Sequence, residues 1–564
     1  MVFSRRVNSL LRACTPLLLC LVFPSLEANP LETTAPAGTA AASDQRLELG
    51  RRMYMEGLLP SGKSMSAIIQ GDIAVTGAQV SCGACHRRSG LGSTEGQQVV
   101  PGVTGGLLYK PLQMPTTRPP APPVQRPAYS DETLKQAIRE GVDANGQPLD
   151  PFMPRYTDLS DEELDILLAY LNSLSTTMSA GVTDTEMHFA TIVADSAPEK
   201  DRKALLDVMR VFFEQKNIET RAESSRAANA PWHKSWIFGP YRKWVLHRWE
   251  LHGPSETWND QLHEYFRQQP VFAVLSGVAP GSWEPMHRFC EDTQVPCIFP
   301  TTDLPVVDEE SFYSIYFSKG MTLEAQVIAT HLQAEGFGGK LLRQVLREGD
   351  LKGETAARAL RDLWEKKGGE VQDYVLASDQ TAAVEMWQEL SSAGDAPLIL
   401  WLTEDDLQTY WSQLGKEPAP ERIYLSTTLY GEDGGSVPME ARDRVYFVHP
   451  SELPNRVSRL LARSTGWLRF KRIYQPEARE VQANAYFATK VAGQSVRHIR
   501  GYFYSDYFIE RIENMLDNAP YTSIYPRVSL APGQKFVAKG GYIAKVSKKD
   551  PAKLTAVTGW IIAR

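Results

Sequence analysis

The chain is poor in cysteine, with six in 564 residues. It has no apolar run of the ~20 residues that a membrane-spanning helix needs. It also has no excess of positive charge. The formal net charge of −7 offers no basic face to a nucleic acid. Nucleotide and hydrolase signatures are missing as well. "GFGGKLL" pairs a glycine with a lysine, but no Ser or Thr follows and the P-loop spacing is absent. Neither G-x-S-x-G nor H-E-x-x-H occurs. What remains is an ordinary globular composition, 43% apolar and 23% charged. The length suits roughly three or four domain-sized units.

The first residues differ from the rest. "MVFSRRVNSLLR" carries Arg5, Arg6 and Arg12, and the apolar "ACTPLLLCLVFPSL" follows, broken by Pro16 and Pro24. A charged stretch before a short apolar one predicts a secretory signal peptide over 1–28; a buried N-terminal helix is the other reading. Cleavage is expected after Ala28, although Leu26 is a poor residue at its −3 position. Cys20 follows Leu19 where a lipid-anchoring signal wants a small residue, and the paired arginines lack a twin-arginine context. The expectation is therefore Sec-type export to the periplasm, with no transmembrane segment after cleavage. Cys14 and Cys20 leave with the signal, and Cys82, Cys85, Cys290 and Cys297 remain. An even count in an oxidising compartment suggests pairing. Cys290 ends a predicted helix and Cys297 starts the next strand. A disulfide across that short loop and two separate buried thiols both stay open.

Two of the remaining cysteines stand in "SCGACHRRSG" (81–90). Cys82-x-x-Cys85-His86 has the spacing of a c-type haem attachment site. Two thiols add to the two vinyl groups of one porphyrin, and the adjoining imidazole ligates the iron. Gly83 and Ala84 keep the loop uncrowded. A redox-active cysteine pair would need a βαβ setting, and a structural zinc site would need a second ligand pair nearby. Neither is visible, and no second C-x-x-C-H occurs, so one covalent haem c is expected. Met114 and Met153 both precede a proline and both qualify as the second axial ligand. Met114 sits among seven prolines between residues 111 and 127, which reads as an extended surface loop. Met153 precedes "PRYTDLSDEELDILLAYLNSL". There Ser160 and Glu163 form a capping box, and Leu164, Leu167, Leu168, Leu171 and Leu174 share a helical face. That helix favours Met153 as the ligand.

In order along the chain, "DQRLELGRRMYMEG", "CGACH", "VPGVTG", "YSDETLKQAIREGVDANGQPLDPFMPRY" and "LSDEELDILLAYLNSL" resemble a class I cytochrome c of the bacterial dehydrogenase-associated kind. The resemblance covers 44–176 and implies an all-α domain. It implies His86 and Met153 as axial ligands of the haem iron. It implies that Gly50 and Tyr54 cross against Tyr170. By position, the Pro101 carbonyl is expected to accept the His86 ring N–H, a contact that orients the ligand. The long segment before the haem motif and the proline-rich loop depart from the family pattern.

Residues 177–185 are small and polar and read as a linker. From 186 to 564 strand-like and helix-like segments alternate. "HFATIVAD", "KWVLHRWEL", "VFAVLSG", "KLLRQVLRE", "VQDYVL", "PLILWLT" and "RIYLST" are short apolar runs between amphipathic helices, the pattern of parallel sheets covered on both faces. The length suits two similar α/β lobes. His247 and His252 flank Trp249 on opposite faces of a strand and read as ordinary histidines. The aromatic cluster "YFYSDYF" (502–508) reads as core.

This layout resembles the type I periplasmic binding proteins, the branched-chain amino-acid receptors of ABC importers. "PVFAVLSGVAPGSWEPMHRFCEDTQVPCIFPTT" resembles the family's ligand-loop unit, "FYSIYFSKGMTLEAQVIATHLQAEG" its crossover, and "LAPGQKFVAKGGYIAKV" its C-terminal hairpin. The resemblance nominates Ser276, Gly277, Thr301 and Thr302 for a ligand carboxylate, and Glu404 or Asp405 for an amine. Trp283 stands where the family carries paired small hydroxyl residues. The two resemblances together imply an exported electron carrier, not an enzyme, fused to a module for a small-molecule ligand. Its expected redox partner is a periplasmic dehydrogenase or another cytochrome. The alternative is a ligand receptor whose haem reports redox state.

Overall fold

The computed structural model describes residues 37–563 apart from 96–97, 114–123, 229–241, 309, 377–379, 392–395, 415–419, 500 and 519–522. The signal segment 1–28 and Met114 lie outside the described residues.

The first unit is built on helices α1 (Ala37–Glu56), α2 (Cys82–His86), α3 (Gly105–Leu108), α4 (Asp131–Glu140) and α5 (Asp161–Ser173). Both α4 and α5 open on capping boxes, Ser130 with Thr133 and Ser160 with Glu163, which satisfy backbone N–H groups that no helical carbonyl can reach. Helix α4 stops at Gly141, whose left-handed backbone (φ 73°) ends the helix without a Cβ clash. The apolar face of α5 buries Leu164, Leu167, Leu168 and Leu171. Helix α1 crosses it closely at Gly50, where a Cβ would stand 2.6 Å from the Tyr170 Cβ. The rings of Tyr54 and Tyr170 meet with centroids 5.5 Å apart. The crossing expected of Gly50, Tyr54 and Tyr170 is present.

The unit is not all-α as expected. Among the described residues three antiparallel hairpins join the helices: β1 (Ser66–Ile69) with β2 (Ile73–Thr76), β3 (Ser93–Glu95) with β4 (Gln98–Val100), and β5 (Leu112–Gln113) with β6 (Val124–Arg126). The first lies in the long segment before the haem motif, and the third brackets the proline-rich loop. A lengthened loop must still satisfy its backbone polar groups, and pairing with itself does so.

Lobe one follows with β7 (Glu186–Ala194), α6 (Glu199–Ala228), β8 (Lys243–Leu251), α7 (Trp258–Gln268), β9 (Ala273–Val278), α8 (Glu284–Thr293), β10 (Cys297–Ile298) and β11 (Ser314–Ile315). Its parallel sheet has the order β8-β7-β9-β10-β11. Lobe two holds α9 (Met321–Ala334), β12 (Leu341–Leu346), α10 (Leu351–Glu365), β13 (Glu370–Val375), α11 (Gln380–Ser391), β14 (Leu398–Trp401), α12 (Glu404–Leu414), β15 (Ile423–Ser426), α13 (Thr427–Tyr430) and β16 (Val445–His449). Its parallel strands run β13-β12-β14-β15-β16. Numbered within each lobe, both orders are 2-1-3-4-5, the doubly wound arrangement that places a crevice at the carboxyl ends of the strands. Strands β9, β14 and β15 are buried at every position, as strands covered on both faces must be.

The chain then returns to lobe one as α14 (Pro454–Leu460), α15 (Ala462–Phe470), α16 (Arg479–Ile499) and α17 (Ser505–Asn518). Their apolar faces bury Val457, Phe487, Phe508 and Ile512 in the lobe-one core, joined by Phe503 from the connection between α16 and α17. A last crossing leads to β17 (Gly540–Val546), β18 (Leu554–Ala556) and β19 (Ile561–Ile562), antiparallel additions to lobe two. The first and last crossings run side by side, with the Tyr316 N–H donating to the Lys535 carbonyl at 2.8 Å and Ala538 N–H to Phe317 at 2.7 Å.

Cys290 and Cys297 form a disulfide, with Cα atoms 6.0 Å apart, tying α8 to β10. Residues 177–185 are fastened along their length. Ser179 N–H donates to the Phe503 carbonyl at 3.0 Å, and the Ser505 N–H donates to Ser179 Oγ at 2.6 Å. A Cβ on Gly181 would stand 2.4 Å from the Phe272 nitrogen. Small residues that read as a free linker are here the ones that permit close backbone approach.

Candidate haem site and ligand cleft

The haem motif folds as one short helical turn, α2, which sets Cys82, Cys85 and His86 side by side. Neither cysteine is in a disulfide. The His86 ring is buried, and its Nδ1 lies 2.8 Å from the Pro101 carbonyl, the contact expected from position. With Nδ1 donating, Nε2 is left as the lone-pair nitrogen for a metal. Burial holds His86 below its ordinary value, so the ring is neutral near pH 7, as a ligand must be. The residues fit covalent haem c: two thiols, an oriented imidazole and a thioether.

Met153 is half-buried in the loop before α5, its N–H donating to the Asp150 carbonyl at 2.9 Å. That loop is held from the other side of the motif. Ile68 and Arg155 exchange backbone hydrogen bonds at 3.0 and 2.9 Å, and the Gln70 N–H reaches the Pro151 carbonyl at 2.9 Å. The buried Tyr156 hydroxyl donates to the Val80 carbonyl at 2.5 Å, two residues before Cys82. Hairpin β1-β2, in the segment that departs from the family pattern, is thus what fixes the loop of Met153.

The three residues after His86 are clamped onto lobe one. Arg87 pairs with Glu513 at 3.3 Å and Arg88 with Asp506 at 3.2 Å. Ser89 gives both its N–H and its hydroxyl to the Glu510 carboxyl, at 2.7 and 2.6 Å. Positions 506, 510 and 513 lie on one face of α17. Arg88 also stacks over the Phe312 ring at 4.5 Å, and Glu513 continues to Lys535 at 3.5 Å, on the last lobe crossing. Sequence reasoning missed this interface. The acid spacing in "SDYFIERIENM" was its only trace, and such spacing is common on solvated helices.

The cleft opens where the strands of both lobes end. Ser276 is buried at the end of β9 with a left-handed backbone (φ 56°). A Cβ on Gly277 would meet the Trp283 ring at 2.9 Å. Thr301 N–H donates to the Gly277 carbonyl at 2.9 Å, and Thr302 Oγ1 accepts from Leu304 N–H at 3.1 Å. Ser276, Gly277, Thr301 and Thr302 are therefore brought together. Glu404 and Asp405 are not: both are exposed at the start of α12 in lobe two. Asp303, Glu324, Glu432, His449, Glu480 and Asn484, which the sequence reading did not single out, gather between the lobes. Asp303 joins Lys352 of lobe two at 2.6 Å, and Glu432 meets His449 at 3.2 Å. They come from separate segments that only the crossings bring together. Outside the cleft, His247 lies 2.9 Å from His188 and His252 3.1 Å from Asp195. Among the described residues no cluster of three or more His, Cys, Asp or Glu is arranged to hold a metal ion, and no helix is long and apolar enough to cross a membrane.

Residues 75–175 match the cytochrome c family. No curated protein matches the chain. Among solved structures, the chain is similar to a fatty acid ABC transporter substrate-binding protein from Thermomonospora curvata, with 13% identity over 68% of this chain and 95% of that one, at a TM-score of 0.44. It is similar to the leucine binding protein LivK from Thermotoga maritima, with 12% identity over 67% of this chain and 99% of that one, at 0.45. It is also similar to an ABC transporter solute binding protein from Rhodopseudomonas palustris in complex with 3,4-dihydroxybenzoic acid, with 13% identity over 68% and 98%, at 0.47. The chain is therefore multidomain: a segment that matches the cytochrome c family is followed by a module of two doubly wound α/β lobes. Two α/β lobes are what the sequence resemblance implied for 186–564; the three crossings that join them come from the structure.

Proposed function

We propose that this protein is an exported, periplasmic electron carrier with one covalent haem c, coupled to a receptor for a small molecule. Haem c supplies a one-electron couple when bound. Cys82 and Cys85 would hold it covalently, His86 and Met153 would ligate its iron, and the Pro101 carbonyl keeps the imidazole oriented. The observation that carries the reading is His86 Nδ1 held on the Pro101 carbonyl at 2.8 Å beside two cysteines outside any disulfide. With His86 and Met153 both ligating the iron, the protein would leave no coordination site open for substrate. The protein is then a carrier and not an enzyme. A periplasmic dehydrogenase or another cytochrome is the partner such a carrier serves. The test is reduction by dithionite and reoxidation by a second c-type cytochrome. A reversible one-electron wave supports the reading. Turnover of peroxide faster than electron exchange contradicts it.

A second reading, a ligand receptor whose haem reports redox state, is favoured by one observation. Arg87, Arg88 and Ser89, directly after the proximal ligand, are all bound to α17 of the receptor module.

A further inference from the structure

The turn after His86 is strained. Arg87 has φ 66° and ψ 169°, a region in which essentially only glycine is at ease. Such a residue persists only where its surroundings over-determine it, and here they do. The Tyr54 hydroxyl donates to the Arg87 carbonyl at 2.7 Å, and the Arg87 N–H returns to the Gly83 carbonyl at 3.0 Å. The other holds come from lobe one. Glu513 takes the Arg87 guanidinium, and Glu510 takes both the N–H and the hydroxyl of Ser89. Ser89, Glu510 and Glu513 are all buried. Buried ion pairs add little net stability over well-packed apolar residues, so stability alone does not account for them. The same turn seats the support of the axial ligand. The Gly92 N–H donates to the His86 carbonyl at 3.1 Å, and the Val103 N–H donates to the Gly90 carbonyl at 2.7 Å. Residues 90–92 therefore lie against 101–103, where the Pro101 carbonyl meets His86 Nδ1.

We propose that Glu510 and Glu513 are positioning residues for the axial histidine, acting through Ser89 and Arg87 on the turn that seats the Pro101 carbonyl against the His86 ring. The inference rests on the electron-carrier reading and names residues outside the cytochrome segment that tune it. With Pro101 accepting from Nδ1–H, the imidazole is a more basic ligand. A more basic ligand favours ferric over ferrous iron and keeps the potential low. When α17 no longer holds the turn, the Pro101 contact loosens and the potential rises.

The experiment is a redox titration of the full-length holoprotein and of its Glu510→Gln and Glu510→Ala variants, with hydrogen exchange of residues 87–92 measured alongside. Both variants lack the carboxyl charge, but glutamine keeps an acceptor for the Ser89 N–H. The expected result is a midpoint potential that rises in Glu510→Ala and is largely restored in Glu510→Gln. Exchange at 87–92 is expected to quicken in the alanine variant alone. Ser89→Ala, which removes only the hydroxyl bond, serves as a second variant should Glu510→Ala lose its fold. Its potential is expected to rise as well, and an unchanged value counts against the inference. Equal potentials in the wild type and both Glu510 variants overturn it, even where exchange is faster. So does an equal rise in both variants, which is an effect of charge and not of position. In each of these cases a reversible one-electron wave leaves the electron-carrier reading standing. A wild-type protein with no such wave ends that reading, and the inference with it.

Discussion

At the scale of single residues, the chemistry rests on a few side chains held by backbone groups. His86 is fixed by one carbonyl, and the loop of Met153 by a hairpin and by Tyr156. A thioether ligand raises the potential of a haem. Met153→Ala is therefore expected to lower the midpoint potential and abolish the weak near-infrared band of thioether-ligated ferric haem, while Met114→Ala leaves both unchanged. The reverse pattern in a redox titration with optical detection contradicts the assignment. Glu510 gives a prediction in pH. Burial pushes its carboxyl up from 4.5 to about 8. The folded protein therefore keeps this proton where the unfolded chain has released it. The stability it contributes is complete below about 4.5 and is lost as pH rises through about 8. Glu510→Gln is expected to flatten the fall in melting temperature across that window. An unchanged pH profile would show that Glu510 does not titrate in this range.

At the scale of elements, α17 is the piece that turns two domains into one body. Its acids at 506, 510 and 513 all face the segment after the haem motif. Glu513 is 2% exposed and stands between Arg87 and Lys535. Removing one partner of a buried pair leaves charge uncompensated and costs about 3–5 kcal/mol. Glu513→Ala is therefore expected to lower stability by that order in denaturant unfolding. A loss below about 1 kcal/mol, the range of exposed pairs, would mean the interface opens in solution. The legible elements were those with local signals. Capping boxes, the leucine face of α5, the buried strands and the C-x-x-C-H turn all announce themselves within a dozen residues. The hairpins of the first unit did not. Their strands are two to four residues long and carry no strong alternation, and they form because a long loop must pair its backbone groups.

At the scale of the whole molecule, the sequence pattern implied two lobes and a carrier, but not how they are joined. Residues 177–185 read as a tether, yet Ser179 and Gly181 fasten them to lobe one. Glu480, Glu324 and Asp303 lie in three distant segments, and no spacing reveals that the crossings bring them together. The contacts run from Arg87 through Glu513 to Lys535 on a lobe crossing, so the haem loop is tied to a segment that joins the lobes. Ligand affinity is accordingly expected to differ between ferric and ferrous protein by about fivefold, the low end of typical couplings, and the haem potential must shift reciprocally. Equal dissociation constants in the two states would reduce the fusion to a passive tether. The central claim, one covalent haem on Cys82 and Cys85 with His86 as ligand, has a more direct test. Haem is counted per chain by alkaline pyridine spectroscopy after acid–acetone extraction of the purified protein. The account predicts one haem that stays with the polypeptide and is lost in Cys82→Ala/Cys85→Ala. Extractable haem, no haem, or two per chain would contradict it.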